Sequence, residues 1–237
     1  MKMRGIMLLW LATAGLAVLP VLATAQALTD STDSSGMVAS RAAPQPDLTY
    51  TRPTEKTKIL NYLFDAYGPY PAAGAAFAAG ISQAYDTPPE WKQGAEGYGK
   101  RFGSDFGIAV ISTSTRYGLA EAFREDTLYY QCGCKGVFPR LRHAVISTLS
   151  ARRGEDGHRA FSFPALVAPY AGSMTAVYAW YPGRYSGKDA FRMGNYTMLG
   201  YVGGDIALEF LHGGPNSLLH RMHLDNGREA PNPGANP

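Results

Sequence analysis

Three glycines at four-residue intervals, Gly99, Gly103 and Gly107, constrain the middle of this chain more than any other feature. In a helix they fall on one face. Each costs about 0.5–1 kcal/mol relative to alanine in a helix interior, so three in line imply a compensating gain. The usual gain is a second helix packed closely across the small side chains. Ala72, Ala76 and Gly80 form a similar row, as do Gly200 and Gly204. If instead Gly94 to Gly107 is a loop, as the poor helix propensity of glycine allows, a helix still runs from Ile108 to Phe123.

The surrounding segments read as helices too. Thr54 caps one running to about Tyr67, with Ile59, Leu60, Leu63 and Phe64 on one side. Pro69 and Pro71 break it. A second covers about 71–85, ended by Thr87-Pro88-Pro89, and the third covers Glu96 to Phe123. The fourth is 138–152, with Leu141, Val145, Ile146 and Leu149 at helical spacing. The fifth covers about 164–181 and bends near Pro169, which lacks an amide donor. The sixth starts at Ser186, where Ser186 and Asp189 resemble a capping box, and stops near Leu211 before Gly213-Gly214. No stretch alternates with period two for long enough to predict a strand. The chain therefore reads as all-α: a single domain of about five or six helices over 53–212, with small-residue-rich packing faces.

The ends read differently. Residues 1–25 have the three parts of a cleavable secretory signal peptide: Lys2 and Arg4, an uncharged apolar run from Ile6 to Leu22, and small residues Ala23-Thr24-Ala25 before Gln26. Residues 26–52 read as a disordered leader and 213–237 as a disordered tail, being polar, proline-bearing and without apolar period. Export places the working chain in the periplasm or cell envelope.

Removing Lys2 and Arg4 with residues 1–25 leaves 20 Lys and Arg against 19 Asp and Glu, a formal charge of +1. No strong field exists to hold nucleic acid, which is excluded as a partner on this ground. Charge is sparse at 17%. Two windows, Ala66 to Tyr85 and Ala160 to Gly183, carry none, and the second ends on Tyr178, Trp180 and Tyr181 like an interfacial belt. Their prolines and hydroxyl residues weigh against spanning helices, so both a compact helical domain and a membrane-embedded one are open.

Chemistry-bearing residues are few. Cys132-Gly133-Cys134 predicts a disulfide in an oxidising compartment. Closure across one residue strains the ring, and strained disulfides are the more readily reduced, which makes Cys132 and Cys134 redox candidates. Glu125 and Asp126 follow the third helix, and His143 lies on the fourth beside Arg140 and Arg142. A histidine oriented by a carboxylate makes a general base, so Glu125, Asp126 and His143 are the catalytic candidates. The competing reading gives these acids to Arg116, Arg124 or Arg140 as salt bridges, since a carboxylate at a helix C-terminus needs a cation. Glu209 and His212, preceded by Asp205, form one E-x-x-H, where a di-iron bundle needs two such motifs. Two thiolates are too few for structural zinc. His220 and His223 fall in the tail. No cofactor and no metal site is expected.

Several segments taken together resemble a family of exported bacterial helical proteins to which no activity is assigned. They are Glu90-Trp91, Gly94-Ala95-Glu96-Gly97-Tyr98-Gly99-Lys100-Arg101, Glu125-Asp126-Thr127-Leu128-Tyr129-Tyr130, Arg140-Leu141-Arg142-His143-Ala144 and Trp180-Tyr181-Pro182. The resemblance spans about 55–212 and implies a helical fold and export. In that family a proline and then an arginine follow the acidic pair; here Thr127 and Leu128 stand in their place. The resemblance implies no site.

The leading expectation is a non-catalytic envelope protein whose Gly/Ala-rich helices pack against a membrane or an envelope protein partner. The alternatives are an envelope hydrolase using Glu125, Asp126 and His143, and a redox protein using Cys132 and Cys134.

Overall fold

The computed structural model describes residues 50–211 apart from Gly133, and of Leu211 only the backbone. The expected signal peptide, all of the expected leader before Tyr50, the expected tail and His212 lie outside the described residues. The fold is mainly helical: α1 (Glu55–Tyr67), α2 (Pro69–Ala84), a 3₁₀ turn (Pro89–Trp91), α3 (Gly94–Ala122), α4 (Val137–Thr148), α5 (Phe163–Ala179) and α6 (Gly187–Leu211). Local chemistry sets the boundaries. Thr54 Oγ1 accepts the Thr57 amide at 3.3 Å to cap α1. α1 ends at Tyr67 just before Pro69 and Pro71, as expected, and the two prolines open α2 in its first turn, where proline lacks no needed donor. Asp189 Oδ2 accepts both the Ser186 amide at 3.0 Å and its hydroxyl at 3.1 Å, so the reversed half of a capping box starts α6.

Helix α3 is the central element. It packs on α2 and α5 along its length and on α1 near its end; α5 packs on α6, and α6 on α4. Residues Gly94 to Gly107 are helical rather than a loop.

The expectation of an all-helical chain needs one correction. Glu125–Asp126 (β1), Ser150–Arg153 (β2) and His158–Phe161 (β3) form an antiparallel sheet in the order β1-β2-β3. The fourth helix accordingly stops at Thr148. Strands of two and four residues are too short for alternation to register. The β2–β3 turn is made by Gly154 and Gly157 at φ +73° and +64°. A Cβ on Gly157 would also lie 2.3 Å from the Tyr50 ring, so residue 50 is seated on the sheet. Tyr50 and Arg52, assigned above to a disordered leader, both make defined side-chain contacts.

Side-chain size is distributed against the usual sense. The fully covered apolar residues are Ala66, Ala79, Ala144, Ala168, Ala176 and Ala190, each 0% exposed, whereas Phe138 is 84%, Phe77 73%, Leu199 64% and Ile59 59% exposed. Polar residues share the interior: Asn61, Ser104, Ser112, Thr148 and Ser173. No helix among the described residues is long and apolar enough to cross a membrane.

The packing role assigned to Gly99, Gly103 and Gly107 is corrected in detail. A Cβ on Gly99 or Gly103 would meet nothing within 4 Å, and on Gly107 only the Trp180 ring at 3.5 Å. Gly80, Gly200 and Gly204 are equally open. The face of α3 that meets α5 carries Ser104, Ile108 and Ser112 instead, and the close approach is made at Gly172, where a Cβ would lie 2.6 Å from the Ile108 carbonyl oxygen. Gly194 does the same for α6 beneath Tyr170, at 2.4 Å. A four-residue repeat identifies a shared face; it does not say whether that face looks inward.

Candidate functional site

The two acidic candidates sit side by side in β1, at 4% and 7% exposure. Glu125 accepts the Ser162 hydroxyl at 2.5 Å and the guanidinium of Arg153, its cross-strand partner. Asp126 accepts the Tyr130 hydroxyl at 2.5 Å, the Tyr50 hydroxyl at 3.0 Å and the Leu128 amide at 2.9 Å. Arg152 lies over the Tyr130 and Tyr50 rings, 4.5 and 5.3 Å from their centroids. Burial, then the Asp126 charge, holds both phenols well above their ordinary range, so they stay neutral donors. Beside this cluster is a cavity of about 40 Å³ lined by Arg52, Lys58, Tyr117, Glu121, Glu125 and Asp126. That is room for a few water molecules, one of which needs about 10–15 Å³ of such space. Its cations are paired: Lys58 with Glu55 and Glu121, Arg52 with Glu121 and Glu155.

His143 belongs to a different network. Its Nε2 lies 2.7 Å from Arg159 and 3.4 Å from the Ser147 hydroxyl, and its Nδ1 lies 3.6 Å from Glu209 Oε2. Guanidinium only donates, so Nε2 accepts and the ring proton sits on Nδ1, facing Glu209 but beyond hydrogen-bond distance. Burial, followed by the Arg159 charge, lowers the imidazole pKa and favours this neutral form. A base oriented by Glu125 or Asp126 is therefore not what the chain assembles. The carboxylate beside His143 is Glu209, from the lone E-x-x-H at the end of the last helix.

Glu209 is the hub of that network and is 0% exposed. It accepts the Tyr129 hydroxyl at 2.7 Å, Arg140 Nε at 3.1 Å and the Cys132 amide at 3.2 Å. Arg140 also donates to the Glu209 carbonyl and lies 4.6 Å above the Phe210 ring. Cys132 and Cys134 are joined as a disulfide, with Cα atoms 5.0 Å apart. The pair thus heads a segment pinned to α6 through the Cys132 amide and through Gln131, whose side chain donates to the Leu208 carbonyl at 3.0 Å. One turn back, Asp205 accepts the Thr148 hydroxyl at 2.7 Å. Among the described residues, no group of three or more His, Cys, Asp or Glu is placed to hold a metal ion.

A third polar centre was missed altogether. Arg101 is 1% exposed and donates from all three nitrogens: Nε to Thr87 O at 2.8 Å, one terminal nitrogen to Gln83 Oε1 at 2.5 Å and Lys92 O at 2.7 Å, the other to Pro88 O at 3.0 Å. Asp86 lies 3.4 Å from it. Gly97, one turn earlier, lets the Lys92 carbonyl approach: a Cβ there would lie 2.2 Å from that oxygen. Both residues fall in the segment Gly94 to Arg101, where the eye is drawn to Gly99 instead.

Comparison with protein-family models, curated proteins and solved structures found no match.

Proposed function

We propose that this chain is an exported envelope protein that acts by binding, not by catalysis, and that its outward helix faces meet an apolar partner surface, either a membrane or a protein. One observation carries the reading. Phe138, Phe77, Tyr178, Leu199 and Ile59 each stand between 59% and 84% exposed around an interior of alanine, serine and paired charges. Exposed apolar side chains are normal when scattered singly. Here they come from five of the six helices, while α1, α4, α5 and α6 turn Asn61, Thr148, Ser173 and Glu209 inward, and that arrangement suits surroundings less polar than water.

The hydrolase reading has less support. Glu125, Asp126 and Glu209 are each committed to an arginine or tyrosine partner, and the cavity at β1 has room for only a few water molecules. The test is fractionation of cell envelopes. The chain should sediment with membranes or within a larger complex at neutral pH, and changing Phe77, Phe138 and Leu199 together to Ser should release it. A parent chain recovered as a free monomer would overturn the proposal.

A further inference from the structure

Helix α4 is turned inside out. Residues Arg140, His143, Ala144, Ser147 and Thr148 lie on its inner side, meeting Glu209 and Asp205 of α6. The outer arc holds Val137 at 64%, Phe138 at 84%, Val145 at 45% and Ile146 at 46% exposure. Arg142 projects from the same arc, between Phe138 and Ile146, each four residues away.

Charge distinguishes this face from the other apolar ones. Residues 127–154 contain no Asp or Glu, but they contain Lys135, Arg140, Arg142, Arg152 and Arg153. Arg140 and Arg153 are taken up by Glu209 and Glu125. Lys135 and Arg142 are exposed and make no ion pair among the described residues, while Arg159, also exposed, leans on His143 and not on a carboxylate. By contrast, the cations near Phe191 on α6 have Asp189, which pairs with Arg192, and the outward Phe77 and Ile81 of α2 have no charged residue on their helix.

We infer that the outer face of α4 docks on an anionic bilayer, with Phe138 and Ile146 entering the interface and Lys135 and Arg142 meeting lipid phosphates. This rests on the binding reading above and specifies its partner. A short helix with aromatic and aliphatic residues interleaved with cations lies in the membrane plane. At twelve residues, α4 is about 18 Å long, too short to span. A second copy is disfavoured as the occupant. A twofold contact through α4 would bring two such cationic faces together, and α4 carries no acid to pair with them.

The experiment is flotation of the full chain with vesicles of phosphatidylcholine alone or mixed with phosphatidylglycerol. The apolar amino-terminal segment is common to all variants, so differences among them report on α4. Lys135→Gln with Arg142→Gln should weaken partition into the mixed vesicles roughly 30-fold, about five-fold per cation. Phe138→Ser should weaken it on the order of ten-fold, and Tyr85→Ser, at another exposed aromatic away from α4, should leave it unchanged; Phe77→Ser is run beside them, and all are surface changes, checked by unaltered helical circular dichroism. Partition of both α4 variants equal to the parent overturns the inference. If Phe77→Ser then proves the damaging change, or if the parent ignores vesicles but self-associates, the binding reading survives without it. A parent that neither binds vesicles nor associates overturns both.

Discussion

Arg140 reaches Glu209 at 3.1 Å across the contact of α4 with α6, and the carboxylate it meets has no exposure to solvent. Removing one member of a buried pair leaves the other desolvated and unmatched, at a cost of about 3–5 kcal/mol. Arg140 retains 30% exposure, which lowers the figure. Glu209→Ala should thus destabilise by about 3 kcal/mol, since Tyr129 and the Cys132 amide lose their acceptor as well. A urea midpoint shift with unchanged slope would measure it; a shift under 1 kcal/mol would mean that the hub is dispensable.

Arg101→Lys should also be costly despite keeping the charge. A lysine ammonium cannot span the carbonyls of Thr87, Pro88 and Lys92 that the planar guanidinium joins. Each buried carbonyl left without a donor costs about 1–3 kcal/mol. Limited trypsin digestion should then cut at Lys92 well before the rest of the chain opens, and equal protection of parent and variant would refute the role.

The glycines divide into two kinds with opposite expected signs. Gly103→Ala should stabilise by about 0.5–1 kcal/mol, because the site is open and alanine is the better helix former. Gly172→Ala should destabilise by about 1–3 kcal/mol, because its Cβ would press on the Ile108 carbonyl of α3. Thermal melts of the two variants against the parent decide it; a Gly103→Ala variant that melts lower would restore the row on α3 as a packing face within the domain.

Stability should also carry a signature of pH. Burial raises the Asp105 carboxyl to about 7, above its unfolded value, so the folded chain binds the extra proton between these limits. Stability is then greatest in acid and falls as pH rises toward 7. Asp65 and Asp205 are shifted in the same direction by burial and add to the slope. Asp105→Asn should flatten the decline and leave the other contributions in place. Melting temperatures at about pH 5 and pH 7.5 test the sign, and an unchanged slope in the variant would reject it.

Helix limits were legible in the sequence because caps and breakers act over three or four residues, as at Thr54, Pro69 and Ser186. Facing was not. The spacing of Leu141, Val145 and Ile146 marks one side of α4, but whether that side is inner depends on what α6 offers, and α6 offers Asp205 and Glu209. For the same reason His143 could not be matched with its carboxylate, which lies 66 positions away along the chain. The hairpin was hidden by brevity and by Arg152, Arg153 and Arg159, which look like surface charges until Glu125 and the tyrosines are seen beside them.

The alanine-lined interior has a consequence for how this protein tolerates change. Substitutions that hollow out a core need large residues to shorten, and among the described residues the buried apolar positions other than Ile108, Tyr130, Val177 and the prolines Pro88, Pro164 and Pro169 are already alanine. Truncation finds few targets there, whereas a single added methylene at Ala79, Ala168 or Ala176 must force helices apart. At these apolar positions, errors that enlarge should be the ones that unfold this chain, and errors that trim should mostly pass unnoticed.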